Sequence, residues 1–231
     1  MIKVIFIDID NTLLSFDEYV KQAMREGFEK FGLGEYRGEM FGVFLGINAK
    51  LWRAIEKKEI TFEELGQIRW NMVFEKLGID FDGVVFEDYF RARLRESAIP
   101  VDGAYEMLDY LSSKYTLCAA SNGPSCQQVN RLKLGNMLHY FEAVYVSEDV
   151  GASKPSEKFF EYAFNDLESK TCEKIKPDEA LIIGDSITAD MVGGAQYGLK
   201  TCWYNRHKAR LPKKVELDYA VERLNEIKGI F

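Results

Sequence analysis

The sequence predicts an α/β fold: a Rossmann-like, mostly parallel sheet core with helices on both faces, plus an inserted all-helical domain. Three observations carry this. Five short apolar runs recur along the 231 residues. From residue 100 onward they alternate with helical patterns. Between about residues 15 and 97 no strand pattern occurs.

The first run is Val4–Ile7, and the others are 116–120, Ala143–Val146, 180–183 and 201–204. Continuous apolar runs of four or five residues fit strands buried on both faces. Between them lie helical segments at 103–113, Ser125–Leu134, 156–167 and 189–197. Strand–helix alternation implies right-handed crossovers and a parallel sheet between two helical layers. The stretch after the first strand reads differently. Tyr19, Val20, Ala23, Met24, Phe28 and Phe31 recur at helical spacing. Thr61 followed by Glu64 forms a capping box ahead of Phe62, Leu65, Ile68 and Met72. Gly32, Gly34, Gly46 and Gly78 are read as helix stops. The expected domains are therefore 1–14 with 98–231, and a helical insert at 15–97.

Composition narrows the function classes. Lys and Arg total 30 against 37 Asp and Glu, a formal net charge of −7. An acidic chain with no basic run argues against binding a nucleic-acid polymer or a membrane surface. The opening apolar run is too short for a signal peptide or a membrane span, so a cytoplasmic protein is expected. Cys118, Cys126, Cys172 and Cys202 show no metal-like spacing, and His139 and His207 are the only histidines. A zinc site is not expected, and the cysteines read as buried thiols.

The polar groups at the strand ends carry the chemistry. Val4–Ile7 runs into Asp8-Ile9-Asp10-Asn11-Thr12. The second run leads into Ser121-Asn122-Gly123, and the fourth into Gly184-Asp185-Ser186, with Asp190 five residues past Asp185. In an open parallel sheet that edge is where ligands bind. Asp8, Asp10 and Asp185 together would crowd three carboxylates, which a cation must offset. All-oxygen ligation suits a hard cation, most simply Mg²⁺. A carboxylate beside such a metal can attack phosphorus and form an aspartyl-phosphate. Asp8 is assigned as nucleophile and Asp10 as general acid and base. Acids two apart on an extended segment face opposite ways, so the backbone must turn near Asn11-Thr12. Ser121 and Asn122 at a helix start suit an anion. Lys154, after the third strand, is assigned to hold the phosphate and offset the charge on Asp8. Each signal alone has a structural reading: a turn for the acid pair, a helix cap for Ser121 and Asn122, a loop lysine for Lys154, a first-turn helix acid for Asp190. Four polar clusters after four strands favour catalysis.

This set of motifs resembles the haloacid dehalogenase-like hydrolase superfamily. Asp8 to Leu13 looks like its first motif, Ser121 its second, Lys154 its third, and Gly184-Asp185-Ser186 with Asp190 its fourth. The resemblance implies Mg²⁺ held by the Asp8 carboxylate, the Asp10 backbone carbonyl and Asp185. Thr12 and Asp190 are supporting residues, and residues 15–97 look like the helical cap that selects the leaving group. Members that remove halide lack the second acid of the first motif. Asp10 is present here, which favours phosphate esters. The segments 8–16, 48–52, 59–61 and 203–205, with Arg69, are similar to pyrimidine 5′-nucleotidases. Ser156 after Lys154-Pro155 and the pair Gly193-Gly194 depart from that pattern. The expected activity is Mg²⁺-dependent hydrolysis of a small-molecule phosphomonoester, foremost a nucleoside 5′-monophosphate, by a monomer or homodimer. Sugar phosphates or phosphoglycolate are the alternative substrates. A phosphomutase or a non-catalytic phosphometabolite binder are further alternatives. Trp52, Arg69 and Trp70 are read either as base contacts or as packing.

Overall fold

The computed structural model describes residues 1–231. The chain divides by contact into two units, Met1–Ser15 with Ala98–Phe231, and Phe16–Ser97.

The first unit is built on six strands: β1 (Val4–Ile7), β2 (Thr116–Ser121), β3 (Ala143–Val146), β4 (Ala180–Gly184), β5 (Lys200–Tyr204) and β6 (Tyr219–Val221). Their order is β3-β2-β1-β4-β5-β6, and every pairing is parallel. The chain builds outward from β1 to β3, then crosses back to β4 on the other side. The crevice at that reversal lies at the carboxyl ends of β1, β2 and β4. β1 is fully buried because both its neighbours and both helical layers cover it. Alternation divides its side chains between two cores. Ile5 and Ile7 pack with Leu117, Leu181, Met107, Leu111 and Leu224; Val4 and Phe6 pack with Ile182, Phe159, Phe160 and Met191.

The helical unit holds α1 (Phe16–Phe31), α2 (Gly38–Glu56), α3 (Phe62–Leu77) and α4 (Gly83–Arg95). The core unit adds α5 (Ala104–Ser112), α6 (Ser125–Leu134), α7 (Ser147–Val150), α8 (Glu157–Thr171) and α9 (Gly193–Tyr197). The capping box at Thr61 and Glu64 forms, with Glu64 N–H donating to Thr61 Oγ1 at 3.1 Å. Gly78 ends α3 in the left-handed region, at φ 68°. Gly46 does not stop a helix: it lies inside the 19-residue α2. Arg69 and Trp70 are consumed inside this unit. Arg69 clasps Glu87 at 2.6 and 3.0 Å and donates to Asn48 Oδ1 at 3.0 Å. Trp70 is fully buried against Phe86, their ring centroids 4.3 Å apart.

Three further differences from the expected pattern have physical causes. β6 is a three-residue edge strand with two exposed positions, so it shows no apolar run. The helix expected over 189–197 starts earlier as a π-helical turn, Ile187–Val192, and then becomes α9. Only Cys118 and Cys202 are buried; Cys126 and Cys172 are exposed, and all four are free. Burial pushes both buried thiols up to about 12, so they stay protonated and inert. No helix is long and apolar enough to cross a membrane.

The Gly193-Gly194 pair marks a close approach. A Cβ on Gly193 would stand 2.8 Å from the Pro155 Cα, and one on Gly194 would stand 2.5 Å from Ile182 Cγ2. The start of α9 can therefore rest directly on the Pro155 backbone and on Ile182. Gly193→Ala is expected to lower stability by about 1–3 kcal/mol through overpacking. Urea unfolding checks this.

Candidate active site

The site is assembled from four strand ends. β1 stops at Ile7, and the Asp8 N–H still donates to Ile183 O at 2.9 Å. Asn11 then takes φ 61°, and the N–H groups of Leu13 and Leu14 both donate to Ile9 O at 2.9 Å. The backbone is thus irregular at the place where the sequence calls for it. Thr12 is buried beneath it, its hydroxyl 3.4 Å from Asp8 Oδ2.

Lys154 enters from the loop after α7. Its Nζ donates to Asp190 Oδ1 at 2.5 Å, Ala120 O at 2.6 Å and Asp8 Oδ1 at 2.9 Å. Those three bonds use every N–H of the ammonium. Its side chain is 1% exposed. Burial alone would push this ammonium down, but the Asp190 and Asp8 carboxylates outweigh it and hold Lys154 above its ordinary value. Burial pushes the Asp8 carboxyl well up. Lys154 opposes that shift, and the charges of Asp190 and Asp185 add to it.

Asp190 is locked from two sides, since its Oδ2 also accepts the Ser186 N–H at 3.1 Å. A Cβ on Gly184 would run into this carboxylate, so glycine at the end of β4 lets Asp190 reach Lys154. One carboxylate oxygen from each of Asp8, Asp185 and Asp190 lies within 4.8 Å of the other two. Arg206, from the loop after β5, brings its Nε to 3.6 Å from Asp185 Oδ2. Three carboxylates face two cations here, which leaves a negative excess. The donors are all oxygen, with no His or Cys, so the set fits a hard divalent cation.

Ser121 and Asn122 do not cap α6 with their side chains. The Asn122 amide grips the Lys154 backbone twice: Oδ1 accepts its N–H at 2.8 Å, and Nδ2 donates to its carbonyl at 2.7 Å. Ser121 Oγ accepts from Gln128 Nε2 at 2.7 Å. With that lone pair used, the Ser121 hydroxyl has its own proton to give to an anion. The first turn of α6 is tied elsewhere, the Ser125 N–H donating to Glu148 Oε2 at 2.7 Å.

Asp10 stands apart from the carboxylate cluster. Arg131 Nη1 donates to its Oδ1 at 2.6 Å and Gln128 Nε2 to its Oδ2 at 2.6 Å. Sequence reasoning missed Gln128, Arg131 and Arg206. The available signal for the first two was their i, i+3 spacing on a helix whose buried face reads Gln127, Gln128, Arg131 and Leu132. A buried face that polar is uncommon unless its groups are paired.

Lys154→Met would strand Asp8 and Asp190 in the interior without a cation. It is expected to cost about 3–5 kcal/mol of stability. Asp8→Asn has the opposite sign without divalent cation. The folded Asp8 carboxyl binds its proton more tightly than the unfolded one, so its contribution to stability falls as pH rises from 3.8 through the raised value. In chelator, Asp8→Asn should therefore gain on the parent more at neutral than at acid pH, read as thermal midpoints.

A family model described as haloacid dehalogenase-like hydrolase matches residues 4–204. YfnB of Bacillus subtilis (strain 168) is 32% identical over 97% of this chain and 93% of its own length. The pyrimidine 5′-nucleotidase PynA of Streptococcus pneumoniae (strain ATCC BAA-255 / R6) is 30% identical, covering 95% of this chain and 90% of its own. The pyrimidine 5′-nucleotidase YjjG of Escherichia coli (strain K12) is 28% identical over 98% and 96%. A crystal structure of YfnB bound to magnesium superposes with a TM-score of 0.90 at 30% identity, over 99% of this chain and 98% of that one.

Proposed function

The chain belongs to the haloacid dehalogenase-like hydrolases, and from that premise we propose that it hydrolyses nucleoside 5′-monophosphates, pyrimidine ones foremost, through a phosphorylated Asp8. The observation that carries the chemistry is the contact of Asp8 with the buried Lys154 ammonium beside Asp185 and Asp190. The substrate class rests on the two relatives named as pyrimidine 5′-nucleotidases.

In this reading Asp8 and Asp185, with the Asp10 backbone carbonyl, would hold Mg²⁺. Bound there, the metal would neutralise phosphate oxygens and so admit an anion to an acidic pocket. Asp8 attacks phosphorus with a carboxylate oxygen, the bond from phosphorus to the ester oxygen breaks, and the Asp10 carboxyl gives its proton to the departing alcohol. Water then attacks the aspartyl-phosphate phosphorus and yields a proton to Asp10. Phosphate leaves, and both acids return to their starting state. The Ser121 hydroxyl donates to the phosphoryl group. Lys154 stabilises charge on the phosphoryl oxygens and fixes Asp8 against rotation. Asn122 and Asp190 hold Lys154 in place. The helical unit serves as the cap that selects the leaving group.

Phosphate release should be measured against UMP, dUMP, dTMP, purine monophosphates, sugar phosphates and phosphoglycolate. Pyrimidine monophosphates should rank first, chelation should abolish turnover, and Asp8→Asn should lower kcat by at least about 10³-fold. Mg²⁺ should raise the thermal midpoint of the parent but not of Asp185→Asn. Preference for a sugar phosphate or phosphoglycolate would discard the nucleotidase assignment. Turnover retained by Asp8→Asn would discard the mechanism.

A further inference from the structure

Two buried polar residues of α6 have no part in the chemistry above. Gln128 is fully buried and Arg131 is 1% exposed, yet both face the loop that carries Asp10. Arg131 has only donors, so the side-chain oxygen of Gln128 must turn toward it. Arg131 Nη1 indeed donates to Gln128 Oε1 at 2.9 Å. That contact fixes the orientation of the amide. Its NH₂ group then faces Asp10 Oδ2 and Ser121 Oγ, at 2.6 and 2.7 Å. The arrangement also constrains the backbone nearby, since a Cβ on Gly123 would fall 2.8 Å from Gln128 Nε2.

Each oxygen of the Asp10 carboxylate is thus held by a different N–H, and the plane of the group is set. The Asp10 side chain is 32% exposed and lies beyond the end of β1, so these contacts replace freedom it would otherwise have. Proton transfer needs the acid within hydrogen-bond reach of the leaving oxygen, and a group that is already oriented loses less freedom in getting there. We propose that Gln128 and Arg131 are positioning residues for Asp10, holding its carboxyl where it protonates the leaving group. This rests on the reading of Asp10 as general acid.

The test uses two esters that share the phosphoryl group. p-Nitrophenolate departs without a proton, whereas the alcohol of a nucleotide does not. kcat/KM covers steps only through formation of the aspartyl-phosphate, so it isolates the protonation. In saturating Mg²⁺, Arg131→Met should lower kcat/KM for UMP, or for the best alkyl ester of the panel above, by about 100-fold, and for p-nitrophenyl phosphate by less than about tenfold. Arg131→Lys, which keeps a donor for Asp10, should restore most of the loss. If Arg131→Met does not fold, Gln128→Met removes a contact without burying a charge; because Gln128 also holds Ser121, it should cost both esters, with the loss for UMP about tenfold the larger. Equal losses on both esters in folded variants, or no loss on either, would overturn the proposal. In Asp10→Asn, single-turnover release of the alcohol should be lost while that of p-nitrophenolate survives. That separates this from failure of the underlying mechanism, which retained turnover by Asp8→Asn would reveal.

Discussion

The Lys154 ammonium sits out of solvent within 2.9 Å of Asp8, Asp190 and the Ala120 carbonyl. It joins three strand ends at once: Asp8 follows β1, Ala120 belongs to β2, and Asp190 lies in the turn after β4. A buried ammonium without partners would be too costly to keep charged. Its environment therefore has to be complete, and much of the local structure serves that need. Asn122 fixes the backbone of Lys154 through both its amide atoms. Gly184 clears space for Asp190. Gly193 lets the start of α9 rest on Pro155, next in the chain. Reactivity at Asp8 and integrity of the sheet edge thus depend on the same ion cluster.

The two acids of the first motif occupy contrasting surroundings. Asp8 is buried with like charges near it, and only a cation makes its ionised form favourable. Asp10 is a third exposed and is held from the side by neutral and cationic N–H donors. Separate environments give neighbouring carboxylates separate tasks. The two side chains meet different partners, Lys154 for Asp8 and Gln128 and Arg131 for Asp10.

Much of this was legible in the sequence. The five buried runs are strands because they are too short for helices and alternate with helical segments, and a parallel sheet covered on both faces buries consecutive apolar residues. The polar clusters that follow them all reach the carboxyl edge. Other features were not legible. β6 is too short and too exposed to show a pattern. Gly46 reads as a stop, but a glycine on an exposed helix face only weakens the helix. Asn122 suggested an anion contact, while its amide grips the Lys154 backbone. Gln128 and Arg131 were not singled out at all. Only the packing of α6 against the Asp10 loop shows that their face is inward. Arg69 and Trp70, open to two readings, prove to be internal to the helical unit, since Glu87 and Asn48 satisfy the guanidinium there.

The central claim is that Asp8 becomes phosphorylated during turnover. The direct measurement is acid quenching of the Asp10→Asn variant during reaction with Mg²⁺ and p-nitrophenyl phosphate, whose leaving group needs no proton, followed by peptide mass spectrometry. Loss of the base that activates water should make the intermediate accumulate. The account predicts one phosphoryl group on the peptide that contains residue 8, absent when Asp8→Asn is added. A phosphoryl group on another residue, or phosphate formed with no covalent enzyme species in a variant that still turns over, would contradict it.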